Sequence, residues 1–376
     1  MPATRSGRTA VTAGFSPADW DRVGPAGGWQ SRRWLSAMAS RVPGRLHTAV
    51  HDDRAAALVA VVEDPGAYES YNPYALLFVD PPVFEVGDPA GRRKGLAELA
   101  VPPEQVLPAA VVVHPGYAGD PAGDPAAAVA LLTDLRDWAA DQDLRGLYVL
   151  YTERLTRPLA AAAYGLGGAT FPLAVRWRLP VWWDGWDGYL GGLPAKRRGE
   201  LGRQRRRAAE AGVRPAVVDP VEYAADIVAG RCALLRRYGH AADPAAEHAR
   251  LLALVRAYGP DLRVYAALRG RELLAATVAA REGRTVLTVH AGAAEVPDPV
   301  PFAHFVVNYY AVVDDVTAGD TADVDYGVGQ DRAKQARGCR GTPLSGHVVP
   351  VEPAAAQALI RAAGLLTADR PRGPGP

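Results

Sequence analysis

The sequence predicts an α/β (α+β) protein built from two tandem units, each a mixed, mostly antiparallel sheet flanked by helices. Three observations carry this. The 376 residues exceed one ordinary domain of ~100–200 residues. The same coarse order, strands then a helix then a strand, occurs twice along the chain. The two copies are separated by an aromatic, Gly-rich stretch, Trp182–Gly192, which reads as a junction. The expected units are residues 17–181 and 189–352, with frayed tails at 1–16 and 369–376.

In the first half, Trp34–Arg41 reads as a short helix, and Leu46–Val50 with Ala56–Glu63 as strands meeting near His51–Arg54. Ala109–His114 is a buried strand, followed by a loop at Gly116–Gly119. Asp124-Pro125 then supplies an N-cap and a first-turn proline. Ala128, Leu131, Leu132, Leu135, Trp138 and Ala139 form one apolar helical stripe behind it. Gly146–Tyr151 is a strand, Pro158–Tyr164 a helix and Phe171–Val181 a strand.

The second half opens with an Arg-rich helix over Pro194–Gly212, closed by a glycine at its stop position. Asp219-Pro220 and Asp243-Pro244 start two more helices. Arg263–Leu268, Leu273–Arg281 and Thr285–His290 form a three-strand meander. Phe302, Phe305, Val306, Tyr309, Val313 and Val316 keep helical spacing after the Pro-rich loop Pro297–Pro301. Ala322–Tyr326 and His347–Val351 are the last strands, with a loop carrying Asp331, Lys334, Arg337 and Arg340 between them.

Composition narrows the function. With 42 Lys+Arg against 41 Asp+Glu the net charge is +1, so a histone-like partner of DNA is not expected and any polyanion site must be local. Cys232 and Cys339 lie far apart and outside metal spacing, which argues against a disulfide scaffold or a zinc site and fits a reducing cytoplasm. No apolar run is long enough for a membrane span and no export signal opens the chain, so a cytoplasmic protein is expected. No Walker-type loop, nucleophile elbow or HExxH pair is present.

The densest charge is Lys196, Arg197, Arg198, Arg203, Arg205, Arg206, Arg207 and Arg214, relieved only by Glu200 and Glu210. Its excess needs water or an anion, so it reads either as a solvated helix face or as a docking surface for a phosphorylated carrier, coenzyme A or RNA. The second concentration, Asp323–Gly338, ends a strand in Tyr326 and two glycines, where backbone can approach a ligand, with Lys334 beside the turn. The bland alternative is an ordinary tight turn. His290 and His304 are candidate proton-transfer groups or structural histidines. Tyr309 and Tyr310 are core or, through one hydroxyl, site residues.

Leu193–Gly212, the meander, and Val324-Asp-Tyr-Gly327 with Lys334 after it resemble the GNAT-superfamily branch of BioF2-like/CelD-like acetyltransferases, whose relatives are the Fem-type peptidoglycan aminoacyltransferases. The similarity spans about Tyr189–Gly338, and the first half resembles a diverged second GNAT-like unit on the acceptor side. The resemblance implies an N-acyltransferase with no permanently bound cofactor. Its co-substrate would be acyl-CoA or, alternatively, aminoacyl-tRNA, and its acceptor a small-molecule amine; a degenerate binding module is the third class. By similarity Tyr326, Lys334 and His290 would be catalytic, and Lys196, Arg197, Arg203, Arg207 and Arg337 would face donor phosphates. Tyr68, Tyr71, Asn72 and Tyr74, with Tyr309, would shape the acceptor pocket. The usual pyrophosphate signature, [QR]-x-x-G-x-[GA], is absent, and prolines stand at Val296–Pro301 instead; this raises the tRNA alternative.

Overall fold

The structure, a computed structural model, describes residues 5–6, 9–23, 28–39, 42, 44–67, 69–82, 88–118, 124–153, 157–294 and 302–367. The chain divides into two compact units, Met1–Ala174 with Pro343–Pro376, and Val175–Thr342. The return of the last 34 residues to the first unit (343 to 376) differs from the expected span 189–352. Its cause is strand pairing: Leu344–Pro350 pairs antiparallel with Gly146–Glu153 of the first unit. Strands β7 (Ala169–Pro180) and β13 (Arg340–Pro350) each run across the division.

In the first unit, β1 (Arg5–Ser6), β2 (Thr9–Ala13), β3 (Arg45–His51), β4 (Ala55–Val62), β5 (Ala109–Ala118) and β6 (Gly146–Glu153) lie side by side in chain order, with β13 beyond β6. Every residue of β4 is buried, because its Ala/Val/Leu run presents apolar groups to both faces. Helix α4 (Pro125–Asp141) crosses over between β5 and β6 and makes them parallel, with the Asp124 carboxylate accepting from the Ala127 amide as the sequence predicts. Around this core lie α1 (Pro17–Arg22), α2 (Arg32–Met38), α3 (Pro89–Glu98) and α5 (Arg157–Gly165).

Two expectations are corrected here. Residues 9–13 are not a frayed tail: β2 pairs with β3 from Thr9↔His51 to Ala13↔His47, and buried Thr9 donates to Asp134 of α4 and bonds His51 Nδ1 at 2.9 Å. Residues 369–376 lie outside the described residues. Gly116–Ala118 continue β5 instead of forming a loop, because Tyr117 and Ala118 find ladder partners in Ala57 and Ala56.

His347 of β13 is held neutral within this unit. Thr152 Oγ1 gives its proton to the Ser345 carbonyl (3.1 Å), so its oxygen accepts from His347 Nε2–H (2.7 Å), and His347 Nδ1 accepts from Thr170 Oγ1 (2.9 Å). Burial lowers its pKa to about 4. The unfolded chain binds its proton near pH 6.5 and the folded chain only near 4, so this contribution is complete above pH 6.5 and is lost as pH falls toward 4. About 3 kcal/mol is at stake. Urea unfolding between pH 4 and 7 is expected to show a shallower pH slope in His347→Gln; an unchanged slope refutes the assignment.

In the second unit the sheet order is β7, β12 (Asp323–Val328), β11 (Thr285–Ala293), β10 (Glu272–Glu282), β9 (Leu262–Arg269) and β8 (Arg214–Val218). The meander β9–β10–β11 is antiparallel as predicted. Helices α6 (Trp186–Gly191), α7 (Ala195–Glu210), α8 (Ala224–Arg237) and α9 (Pro244–Tyr258) precede or interrupt it. The crossover from β11 to β12 is α10 (Ala303–Phe305), a π turn at Val306–Tyr310 and α11 (Ala311–Asp315), so the strands it joins are parallel. Asp243 caps α9, whereas Asp219 caps a turn and the helix behind it starts only at Ala224.

Trp182–Gly192 is not a linker. Trp183 and Tyr189 are fully buried in the second unit's core, with the Trp183 indole donating to Val313 O and the Tyr189 hydroxyl to Arg337 O. The segment after Gly329 is not a loop either: it forms α12 (Asp331–Gln335), and β13 already begins at Arg340.

Candidate active site in the second unit

The parallel ladder between β11 and β12 is short. It pairs Thr285↔Asp323, Val286↔Val324 and Leu287↔Asp325 and then stops, while β11 continues to Ala293 and β12 to Val328. Beyond the last pair Thr288 Oγ1 donates to Asp325 O, a side-chain bond where the ladder ends. Gly327, at φ 63°, bends β12 through a left-handed position that a side chain would strain, where its register with β7 shifts between Asp325 and Val328. The Asp325 carboxylate fixes that bend by accepting from Gly327 N at 2.8 Å, and it faces Arg178 at 3.2 Å and Arg176 at 3.9 Å.

Tyr326 stands at the divergence, 7% exposed, and its hydroxyl makes no hydrogen bond to a described residue. Burial pushes its pKa well above 10, so the phenol stays a proton donor. Its ring packs on Tyr309, 4.8 Å between centroids.

Lys334 is 5% exposed, and its ammonium donates to three main-chain carbonyls, Tyr326 O (2.7 Å), Val328 O (2.8 Å) and Gly327 O (3.2 Å). Burial lowers its pKa to about 8, which leaves it charged at neutral pH. All three donors are therefore committed to the bend, and the expected direct action on a reacting carbonyl gives way to holding the backbone that carries Tyr326.

Arg337 is 4% exposed and stacks over Phe305 (4.0 Å) and Tyr309 (4.5 Å). Its Nη1 donates to Ala333 O, and its Nη2 to Gln204 Oε1 (3.0 Å) and Tyr310 (3.4 Å). Tyr310 also donates to Gln204, so α7 is tied to this aromatic cluster through a residue the charge count passes over. The sequence cue was available: Gln204 falls on the same helical face as buried Leu201 and Ala208.

The arginines of α7 divide into two groups. Arg197 pairs with Glu200, Arg205 with Asp314, and Arg198 donates to Leu193 O. Lys196, Arg203 and Arg207 are exposed and make no ion pair or hydrogen bond among the described residues. Together with Arg206 they occupy the helix face opposite Leu201 and Ala208. The expected grouping of Arg197 with Arg203 and Arg207 is thus split.

His290 is buried beneath α8 and α9, its Nδ1 3.8 Å from Glu247, which also faces Arg250 (3.5 Å) and Arg231 (3.7 Å). His304 lies against Asn308, Nε2 to Nδ2 2.7 Å, and Asn308 accepts from Thr277; burial and the Arg337 charge lower its pKa to about 4. Among the described residues His304 makes no hydrogen bond or ring contact with Tyr326.

In the first unit β5 and β6 show the same divergence, pairing only Ala110↔Leu147 to Val112↔Val149. The residue after the last pair is Leu150, where the second unit has Tyr326, and the next is Tyr151 at φ 57°, where the second has Gly327. Tyr151 donates to Ser70 O and packs near Tyr71. Asn72 is fully buried and spends its amide on Pro65 O (2.7 Å) and the amides of Tyr74 and Ala75, which makes it a turn-former in place of the expected acceptor contact. Tyr74 packs on Phe78. Tyr68 and the Pro-rich loop 297–301 lie outside the described residues. Among the described residues no group of His, Cys, Asp and Glu is placed to hold a metal ion, and no helix is long and apolar enough to cross a membrane.

This architecture, with a short parallel pair beside a crossover helix in each unit, is shared in fold with FemX and with a lysylphosphatidylglycerol synthetase domain. FemX superimposes with TM-score 0.54 at 10% identity over 89% of this chain and 96% of its own. A conserved protein of unknown function from Bacteroides thetaiotaomicron gives 0.56 at 14% identity, over 90% and 98%. The C-terminal domain of a putative lysylphosphatidylglycerol synthetase from Agrobacterium fabrum gives 0.51 at 12%, over 96% and 100%. No protein-family model and no curated protein sequence matches the chain.

Proposed function

We propose that the second unit transfers an acyl group to an amine. The observation that carries this reading is the end of the β11–β12 ladder beside Tyr326, a buried phenol with no hydrogen-bond partner among the described residues. An acyl carbonyl held there receives the Tyr326 hydrogen bond as its oxygen gains charge, while the amine nitrogen forms the new C–N bond, the bond from the carbonyl carbon to the carrier breaks, and the carrier leaves with the electron pair and takes up the proton the amine releases. In the first unit the residue at the matching position is Leu150.

Two carriers remain, each with its own observation. Lys196, Arg203 and Arg207 face solvent at seven- and four-residue spacing, roughly 10 and 6 Å apart along α7, which suits a phosphodiester backbone and favours an aminoacyl-RNA donor. The likeness to a lysylphosphatidylglycerol synthetase domain, a name that describes an aminoacyl ester, points the same way. The diverging strands suit the extended arm of an acyl-CoA, the second reading.

The test is a transfer assay with acetyl-CoA or a charged tRNA pool and a mixed set of amines, read by mass spectrometry of the products. Amide formation from neither donor overturns the reading. For the RNA donor, Lys196→Ala/Arg203→Ala/Arg207→Ala is expected to weaken tRNA retention and to flatten its log-affinity against log-salt slope by about 2–3. An unchanged slope removes this face from donor binding.

A further inference from the structure

Two buried cations in this unit have no ion pair among the described residues: Lys334, whose three donors go to the bend, and Arg337. Arg176 faces the Asp325 carboxylate and Arg250 faces Glu247. Arg337, as deeply buried, has only neutral acceptors: a main-chain carbonyl, the Gln204 amide oxygen and the Tyr310 hydroxyl. A guanidinium cannot shed its proton to escape burial, so a desolvated positive charge persists there.

No neighbour supplies the missing charge. Burial holds the Tyr309 and Tyr326 phenols protonated and pushes the Cys339 thiol up to about 12. Asp331 accepts from the Trp177 indole at 2.7 Å, and Asp325 is engaged by Gly327 and Arg178. Meanwhile donors remain unused around the Tyr309 ring: Arg337 Nε–H and the Tyr326 hydroxyl, both buried, and the Tyr309 hydroxyl, none bonded to a described residue. Tyr309 links them, with Arg337 over its ring and the Tyr326 ring 4.8 Å away.

We propose that Arg337 and Tyr309 form a binding site for a carboxylate carried by a small ligand, such as that of an amino acid or N-acyl amino acid. Two or three spare donors match the two oxygens of a carboxylate and are too few for a phosphate dianion. The site stands independently of the transfer reaction, because it is a matter of binding alone; if both hold, the ligand is a carboxylate-bearing substrate.

The test measures thermal unfolding of the full chain at pH 7 in sodium acetate, sodium phosphate and sodium chloride of equal ionic strength. Acetate is expected to raise the wild-type Tm by about 2–4 °C at ten times its dissociation constant, and phosphate less. Arg337→Met is expected to abolish the rise; Tyr309→Phe, which keeps the packed ring, is expected to reduce it even if Arg337→Met does not fold. A wild-type Tm indifferent to acetate, a rise that persists in Arg337→Met, or a rise undiminished in Tyr309→Phe overturns the site. A phosphate rise equal to or above that of acetate overturns the carboxylate assignment.

Discussion

Tyr326→Phe is expected to lower the rate of amide formation about 10²–10³-fold, the usual loss when one donor to a developing oxyanion is removed. The fold should not suffer. The hydroxyl is buried without a hydrogen-bond partner among the described residues, so deleting it removes a desolvated polar group and keeps the ring packed on Tyr309. The Tm is therefore expected to stay level or rise slightly, which separates chemistry from stability. Single-turnover rates beside a melting curve make the check; a variant that keeps wild-type turnover removes Tyr326 from the reaction.

Lys334→Met is expected to have the opposite signature, with stability falling first and any activity loss following from it. Three carbonyls at the end of β12 receive one ammonium, and an apolar side chain leaves the buried Tyr326 carbonyl and the two part-buried ones without that donor. The loss is about 3 kcal/mol, or a Tm lower by roughly 6–12 °C for a unit of this size. Proteolysis between Gly327 and Gln330 should accelerate as the bend loosens. A Tm within a degree of wild type would show that the bend holds without Lys334.

Elements whose apolar period is strong were legible along the chain. The α4 stripe behind Asp124-Pro125, the meander and the Arg-rich α7 stand where the sequence predicts them. The misjudged segments share a cause. Gly, Trp and Pro between residues 182 and 194 suggest a linker by local propensity, yet Trp183 and Tyr189 are consumed by a core assembled from β7, the crossover helix and Gly338. Gly116–Ala118 resemble a loop until Ala56 and Ala57 are placed opposite them, which is a pairing between distant residues.

The candidate site was half legible. Tyr326, Lys334, Arg337 and Tyr309 were named from residue type and turn chemistry, but their jobs were not readable. Whether Lys334 meets a substrate or three backbone carbonyls depends on where Gly327 bends the chain relative to α12. The sequence by itself determined the alternation of strands and helices, the duplicated order and the single concentration of positive charge, because these follow from period and composition. Tertiary structure alone decided which cations keep a free face, which phenols lack a hydrogen-bond partner among the described residues and where the final strand returns. These depend on contacts between residues far apart in the chain, and no local pattern encodes them.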